Sequence, residues 1–154
     1  MDSGEVSALK KITFLGLGLF LLGSTLWAEA PKTQTTAKVE SVQSVIDHVK
    51  LQNPNLPIRL FAQGKKATVN VVTPTGPLKA HYHQTHEEVV YIIKGRGKMR
   101  LGDKDQDVKE GDIIYIPVKT VHSFVPEGGD CRVLSIFAPA FDGKDRIFVE
   151  ENKR

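Results

Sequence analysis

From residue 58 onward the chain breaks into short apolar or alternating runs separated by turn residues, and no stretch between them is long enough to hold a crossover helix. The runs are 58–62, 67–73, 88–94, 97–101, 112–116, 121–125 and 131–138; Gly64, Pro74 to Pro77, Gly95, Gly102-Asp103, Glu110-Gly111 and Gly128-Gly129 punctuate them. Their length and β-branched content predict strands. Parallel neighbours need a crossover of a dozen or more residues, so the pattern leaves an antiparallel all-β sandwich or small barrel. Val89, Tyr91 and Ile93 alternate with Val90 and Ile92, so this strand is apolar on both faces. One face can fill a barrel, and the other needs cover from the leading helix, neighbouring strands or a second subunit. A homodimer is expected.

A chain of 154 residues leaves room for one compact core. Residues 1–30 read as an export signal: Lys10 and Lys11 precede the apolar run Ile12 to Leu22, and Ala28 and Ala30 follow. The stretch from Ile12 to Trp27 is sixteen residues, interrupted by Gly16, Gly18 and Gly23, against the about 20 that a spanning helix needs. The expected location is therefore periplasmic or secreted, with membrane contact only if the segment stays as an uncleaved anchor. Cys131 is the sole cysteine, which excludes an intramolecular disulfide and a lipid-modified cysteine after the apolar run. Removing residues 1–30 leaves 19 basic and 15 acidic side chains. They are scattered rather than clustered with aromatics, which argues against a nucleic-acid partner.

Residues 31–55 read as a Thr- and Lys-rich leader and a short helix. Val39, Val42, Val45, Ile46 and Val49 fall on one helical face. The helix is expected to stop near Asn53-Pro54, with His48 on its surface.

Four of the five histidines stand at 81, 83, 86 and 122. Residues two apart in a strand share a face, so His81 and His83 present two imidazoles side by side. A turn over Gln84 to His86 lets Glu88 open the next strand facing them, and His122 is the only later histidine. Three neutral nitrogens and a carboxylate suit one divalent transition ion, namely Fe, Mn, Ni, Co, Zn or Cu, and suit Mg or Ca poorly. His86 and Glu87 belong to the turn, solvated or supporting the ligands. Tyr91 and Tyr115 are expected to pack rather than serve as pocket acids.

The segment resembles the cupin superfamily. The family's first motif, G-x5-H-x-H-x3,4-E-x6-G, is met by His81-x-His83-x4-Glu88-x6-Gly95, with Gly76 one position from the leading glycine. The second, G-x5-P-x-G-x2-H-x3-N, is met at Gly111, Pro117 and His122, with Lys119 in place of its second glycine and Pro126 in place of asparagine. Fifteen residues separate Gly95 from Gly111, the short linker of compact cupins. The resemblance implies a small antiparallel double-sheet β-barrel of the jelly-roll or cupin type over residues 56–141, preceded by the short helix. It implies a metal held by His81, His83, Glu88 and His122. Residues 142–154 form a tail with no assigned role.

Cupins include dioxygenases on flavonols and diketones, isomerases, lyases, decarboxylases and non-catalytic binders, so the fold does not name the reaction. The expectation is an exported metal-dependent enzyme, dioxygenase-like, acting on a small substrate that chelates through oxygen. Glu88 would be both ligand and, on leaving the ion, general base. The alternative is a non-catalytic small-molecule or sugar-binding cupin. Phe124, two residues from His122, is a candidate cavity wall; Arg59 and Phe61 are candidates for its mouth.

Overall fold

The computed structural model describes residues 36–51 and 57–149. The expected signal, the first part of the leader and the Asn53-Pro54 stop lie outside the described residues. Helix α1 spans Val42–His48, starting where the Ser41 side chain accepts a hydrogen bond from the Ser44 N–H at 3.0 Å and ending at Val49. It is shorter than the periodicity predicts. Only Val45 of the expected face is buried, and Val39 is 98% exposed. A run of β-branched residues with one buried anchor gains too little packing to extend further. His48 is exposed, as expected.

Among the described residues eight strands follow, all pairing antiparallel: β1 Ile58–Gln63, β2 Thr68–Val72, β3 Leu78–Tyr82, β4 Glu87–Leu101, β5 Lys104–Lys109, β6 Ile113–Ile116, β7 His122–Ala138 and β8 Ile147–Phe148. Strands β4 and β7 are long and pair with each other along most of their length. The first half of β4 and the second half of β7 carry β6, β2 and β1. The other halves carry β5, β3 and β8.

Two of the expected turns are therefore bends within strands. Gly95 and Gly128 adopt φ of 90° and 81° beside register shifts between β4 and β7. A bulge adds a residue and bends the strand without ending it. The shift also moves the inward set from Glu88 and Ile92 to Gly97 and Met99, and from His122 and Phe124 to Cys131, Val133, Ser135 and Phe137. Both strands thus keep one face toward the interior around the bend. A side chain at Gly95 would sit 2.8 Å from the Asp130 carbonyl oxygen, so this position admits only glycine.

The core between the two halves is built on Ile92, Met99, Ile116, Phe124 and Val133. Two strands arise outside the expected runs besides the histidine strand β3. Strand β5 is exposed except at Val108, and β8 comes from the segment beyond residue 141. Among the described residues no helix is long and apolar enough to cross a membrane.

Candidate metal centre

Strand register brings the imidazoles together. His81 in β3 lies directly opposite His122, the first residue of β7, and their ring centroids are 4.2 Å apart. His83, just past the end of β3, places its ring 5.2 Å from that of His81 and 5.4 Å from that of His122. All three residues are buried, and their donor atoms lie within 4.8 Å of one another.

The chemistry of the cluster follows from what holds each ring. Nδ1 of His81 faces the Lys79 carbonyl at 2.8 Å, Nδ1 of His122 faces the Thr120 carbonyl at 2.9 Å, and Nδ1 of His83 faces the Asp145 carbonyl. A carbonyl only accepts, so each Nδ1 carries the hydrogen and each neutral ring is left with a bare lone pair on Nε2. The Nε2 atoms of His83 and His122 are buried without a hydrogen-bond partner. Burial, with His122 adding to it, pushes the His81 pKa down to about 4, so that ring resists taking a proton.

Glu88, near the start of β4, completes the approach. Its Oε1 accepts from Ser135 Oγ at 2.6 Å, while Oε2 lies 3.4 Å from His122 Nε2 and 3.6 Å from His83 Nε2. Burial raises the carboxyl's pKa; His122 and His83, where their Nε2 atoms carry a proton, together with Ser135 donating to Oε1, outweigh it and hold the group below the usual carboxylate range. A carboxylate oxygen meeting imidazole lone pairs is favourable only with a cation between them. The residues present therefore fit a divalent transition ion, whose identity they leave open.

His81, Glu88 and His122 open onto a cavity of about 340 Å³ inside the barrel, walled by Ile92, Ile116 and Phe124. Phe124 is the wall expected of it. Arg59 and Phe61 are not among the lining residues: Arg59 donates to Thr73 Oγ1 at 3.1 Å, and Phe61 carries the Lys38 ammonium 4.4 Å above its ring.

A sequence profile described as a cupin domain matches residues 69–137, a span that holds all four motif residues. An uncharacterised protein of Methanocaldococcus jannaschii is 33% identical over 103 residues, covering 66% of this chain and 79% of that one. The chain belongs to the cupin family. Two further relatives match this cupin over shorter spans. An uncharacterised protein of Aquifex aeolicus is 37% identical over 70 residues, 46% of this chain and 58% of its own length. Quercetin 2,3-dioxygenase of Bacillus subtilis is 27% identical over 73 residues, 45% of this chain and 22% of that enzyme. Among solved structures, a Klebsiella pneumoniae protein with a double-stranded β-helix domain superposes with a TM-score of 0.62 at 20% identity. It covers 75% of this cupin and all of that chain. That likeness concerns the fold alone.

The cupin departs from the family motif at Lys119, and the backbone shows the consequence. Lys119 adopts φ 63°, the left-handed region that glycine enters without strain, and its N–H donates to the His83 carbonyl at 2.6 Å. The turn keeps glycine's conformation with a different residue, and it still braces a histidine of the cluster.

Three functional neighbours escape the sequence reading. Ser135 interrupts the apolar inward series Cys131, Val133 and Phe137, and that interruption is the signal that could have found it. Asp145 accepts from the backbone N–H groups of Gln84, Thr85 and His86 at 2.8, 2.9 and 3.1 Å, and from His86 Nδ1 at 2.5 Å. It holds the turn between the ligand strands while its own carbonyl orients His83. Arg146 lines the cavity. No local pattern in the tail announces these two. His86 is accordingly buried rather than solvated, packed against Phe141 with ring centroids 5.2 Å apart, whereas Glu87 is exposed. Tyr91 and Tyr115 are not among the residues that line this cavity; both are exposed on the outer face rather than packed within the chain.

Proposed function

We propose that this cupin is an exported metal-dependent enzyme, dioxygenase-like, acting on a small organic molecule that chelates the metal through oxygen. His81, His83 and His122 hold the ion, and Glu88 supplies the fourth donor through Oε2. The observation that carries the reading is the set of imidazoles whose Nδ1 atoms are committed to backbone carbonyls while their Nε2 atoms turn to a common point beside a cavity. The likeness to quercetin 2,3-dioxygenase supports the reaction class.

A divalent transition ion at this point supplies Lewis acidity and, for a redox-active metal, a place where a chelated substrate and dioxygen meet. The protein's own part is positional. Backbone carbonyls fix the ring tautomers, and Ser135 fixes one oxygen of Glu88. The apolar walls limit water, which strengthens charge interactions inside. Glu88 borders the cavity as an ionised carboxylate and is the group placed to receive the proton of a substrate hydroxyl.

The reading extends to a homodimer. Ile113 is 73% exposed and Tyr115 55%, and with Tyr91, which pairs with Ile113, they form an apolar stripe on the outer face of β4 and β6. A second copy is the proposed cover.

Elemental analysis of protein isolated from its native compartment, followed by oxygen-uptake assays on flavonols, enols and diketones, tests the function. About one ion per chain with uptake supports it. An ion without uptake moves the assignment to the non-catalytic binding cupin, and protein that takes up no transition metal overturns both. The N-terminal residue of the mature protein tests export: Met1 retained on a cytoplasmic chain ends that part of the proposal.

A further inference from the structure

We propose that Arg146 anchors an anionic substrate, so that the molecule admitted beside the metal centre is a small organic acid whose carboxylate lies against this guanidinium. The inference rests on the metal-centre reading and narrows its substrate class.

The tail fixes Arg146 from both sides. Asp145 before it is clasped to the turn at Gln84 to His86, and after it Ile147 and Phe148 pair with Tyr82 and His81. The side chain lines the same cavity as His81, Glu88 and His122, and its Nε is buried with no hydrogen-bond partner. No salt bridge reaches it among the described residues. Glu88, the acidic group lining that cavity, has one oxygen on Ser135 and the other facing the imidazoles. Burial pulls the Arg146 pKa down, with Glu88 opposing it, yet a guanidinium does not give up its proton in a protein.

A buried, unpaired donor on a permanently charged group is costly to keep unless something pairs with it in the working state. The partner that fits a planar fork of donors is a carboxylate, held by two parallel hydrogen bonds. Asn70 adds a second constraint. Its Oδ1 is also buried without a partner and the residue lines the cavity, so it offers an acceptor to a hydroxyl of the same ligand. Apart from Lys79, Ser123 and Ser135, the remaining walls, including Ile92, Met99 and Phe124, are apolar. A volume of about 340 Å³ is at the small end of ligand sites, which run from about 300 to 1,000 Å³. The complementary molecule is a compact hydroxy acid with an apolar body.

Isothermal titration of the whole protein with salicylate and a panel of 2-hydroxy acids, each beside its neutral amide, tests this. Wild type is expected to prefer each bound acid over its amide. Arg146→Gln should bind the acids at least about tenfold more weakly, leave amide binding unchanged and keep its metal content. Arg146→Lys, which retains the charge without the fork, should fall between them and serves if the glutamine variant fails to fold. Equal acid affinity in wild type and both variants, or no preference for acid over amide in wild type, overturns the proposal. Repeating the titrations after chelator treatment separates the two readings. Acid binding that persists without metal and still needs Arg146 leaves the anchor standing if the metal centre fails. Metal binding with acids indifferent to residue 146 does the reverse.

Discussion

The interior and the outer surface of this barrel handle polar side chains in opposite ways. Inside, at the histidine cluster, His81, His83, His86, Glu88, His122 and Ser135 are all buried, and each is held by a particular atom of β3, β4, β7, the turn before β7 or the tail. Around the β4–β5 hairpin charges are plentiful and solvated. Lys98 meets Asp107 at 2.8 Å with side chains 62% and 83% exposed, and Arg100 stands 3.8 Å from Asp105. Water already satisfies such groups, so their pairing adds little. Charge density would have pointed to the wrong face of the barrel. What marks the site is burial combined with partners on one side only, leaving an unsatisfied atom on the other.

That contrast is sharpest if His122 is removed. In His122→Ala the cluster loses a donor and Glu88 loses a neighbour, so metal affinity should drop by more than about 100-fold, beyond what changes to outer partners cost. Asp107→Asn, on the outer surface, should leave metal content at the wild-type value. Competitive chelator titration reads both. Equal metal binding in the two variants would erase the distinction between interior and surface. A step below in size is Asp145→Ala, which removes the carboxylate that gathers the turn from Gln84 to His86 while leaving all four candidate donors in place. Affinity should weaken by about 10- to 100-fold, as for other groups that orient ligands. If it does not, the tail is only a covering strand.

The same contrast explains what could be read in the sequence. His81, His83 and Glu88 lie within eight residues of chain, on or beside consecutive strands joined by a short turn; although β3 and β4 do not pair with each other, this closeness and a period of two made their convergence legible. Gly95 and Gly128 were legible as bends but not as bulges, because glycine permits a positive φ whether the strand stops or continues. Strand β5 was hidden for a different reason: with only Val108 buried it shows no alternation to detect. Asp145 reaches residues about sixty positions earlier, from a tail with no periodicity. Long-range contacts made by irregular segments leave no local trace. The burial of His86 depended on that same contact, so its turn was readable and its environment was not.

Acid should also separate the buried cluster from the surface charges, more gently. The His81 ring has an ordinary pKa of 6.5 and is pushed down to about 4 when folded. As pH falls the unfolded chain takes up this proton first, so stability declines between those values and levels off below them. Above about 6.5 the ring contributes nothing to the pH dependence. Between pH 7 and 5 the metal-free protein should lose about 2 kcal/mol from this group. Denaturant melts of chelator-treated protein measure it, with His81→Gln expected to give a flatter profile. An identical slope in that variant would assign the loss elsewhere.

The smallest effect belongs to the exposed hairpin. The Lys98–Asp107 pair shifts the pKa of both members apart, Lys98 upward and Asp107 downward, each through their mutual hydrogen bond. Those shifts resemble the signature of a built site, yet both groups keep their water and either can turn away without leaving a buried charge. Exposed pairs are also screened by salt over about 10 Å at 0.1 M. Lys98→Ala should therefore melt within about 2 °C of wild type, and the difference should shrink as salt is added. A larger, salt-insensitive loss would mean that this pair is desolvated in the assembled protein, placing the hairpin rather than the β4 and β6 face in the subunit contact.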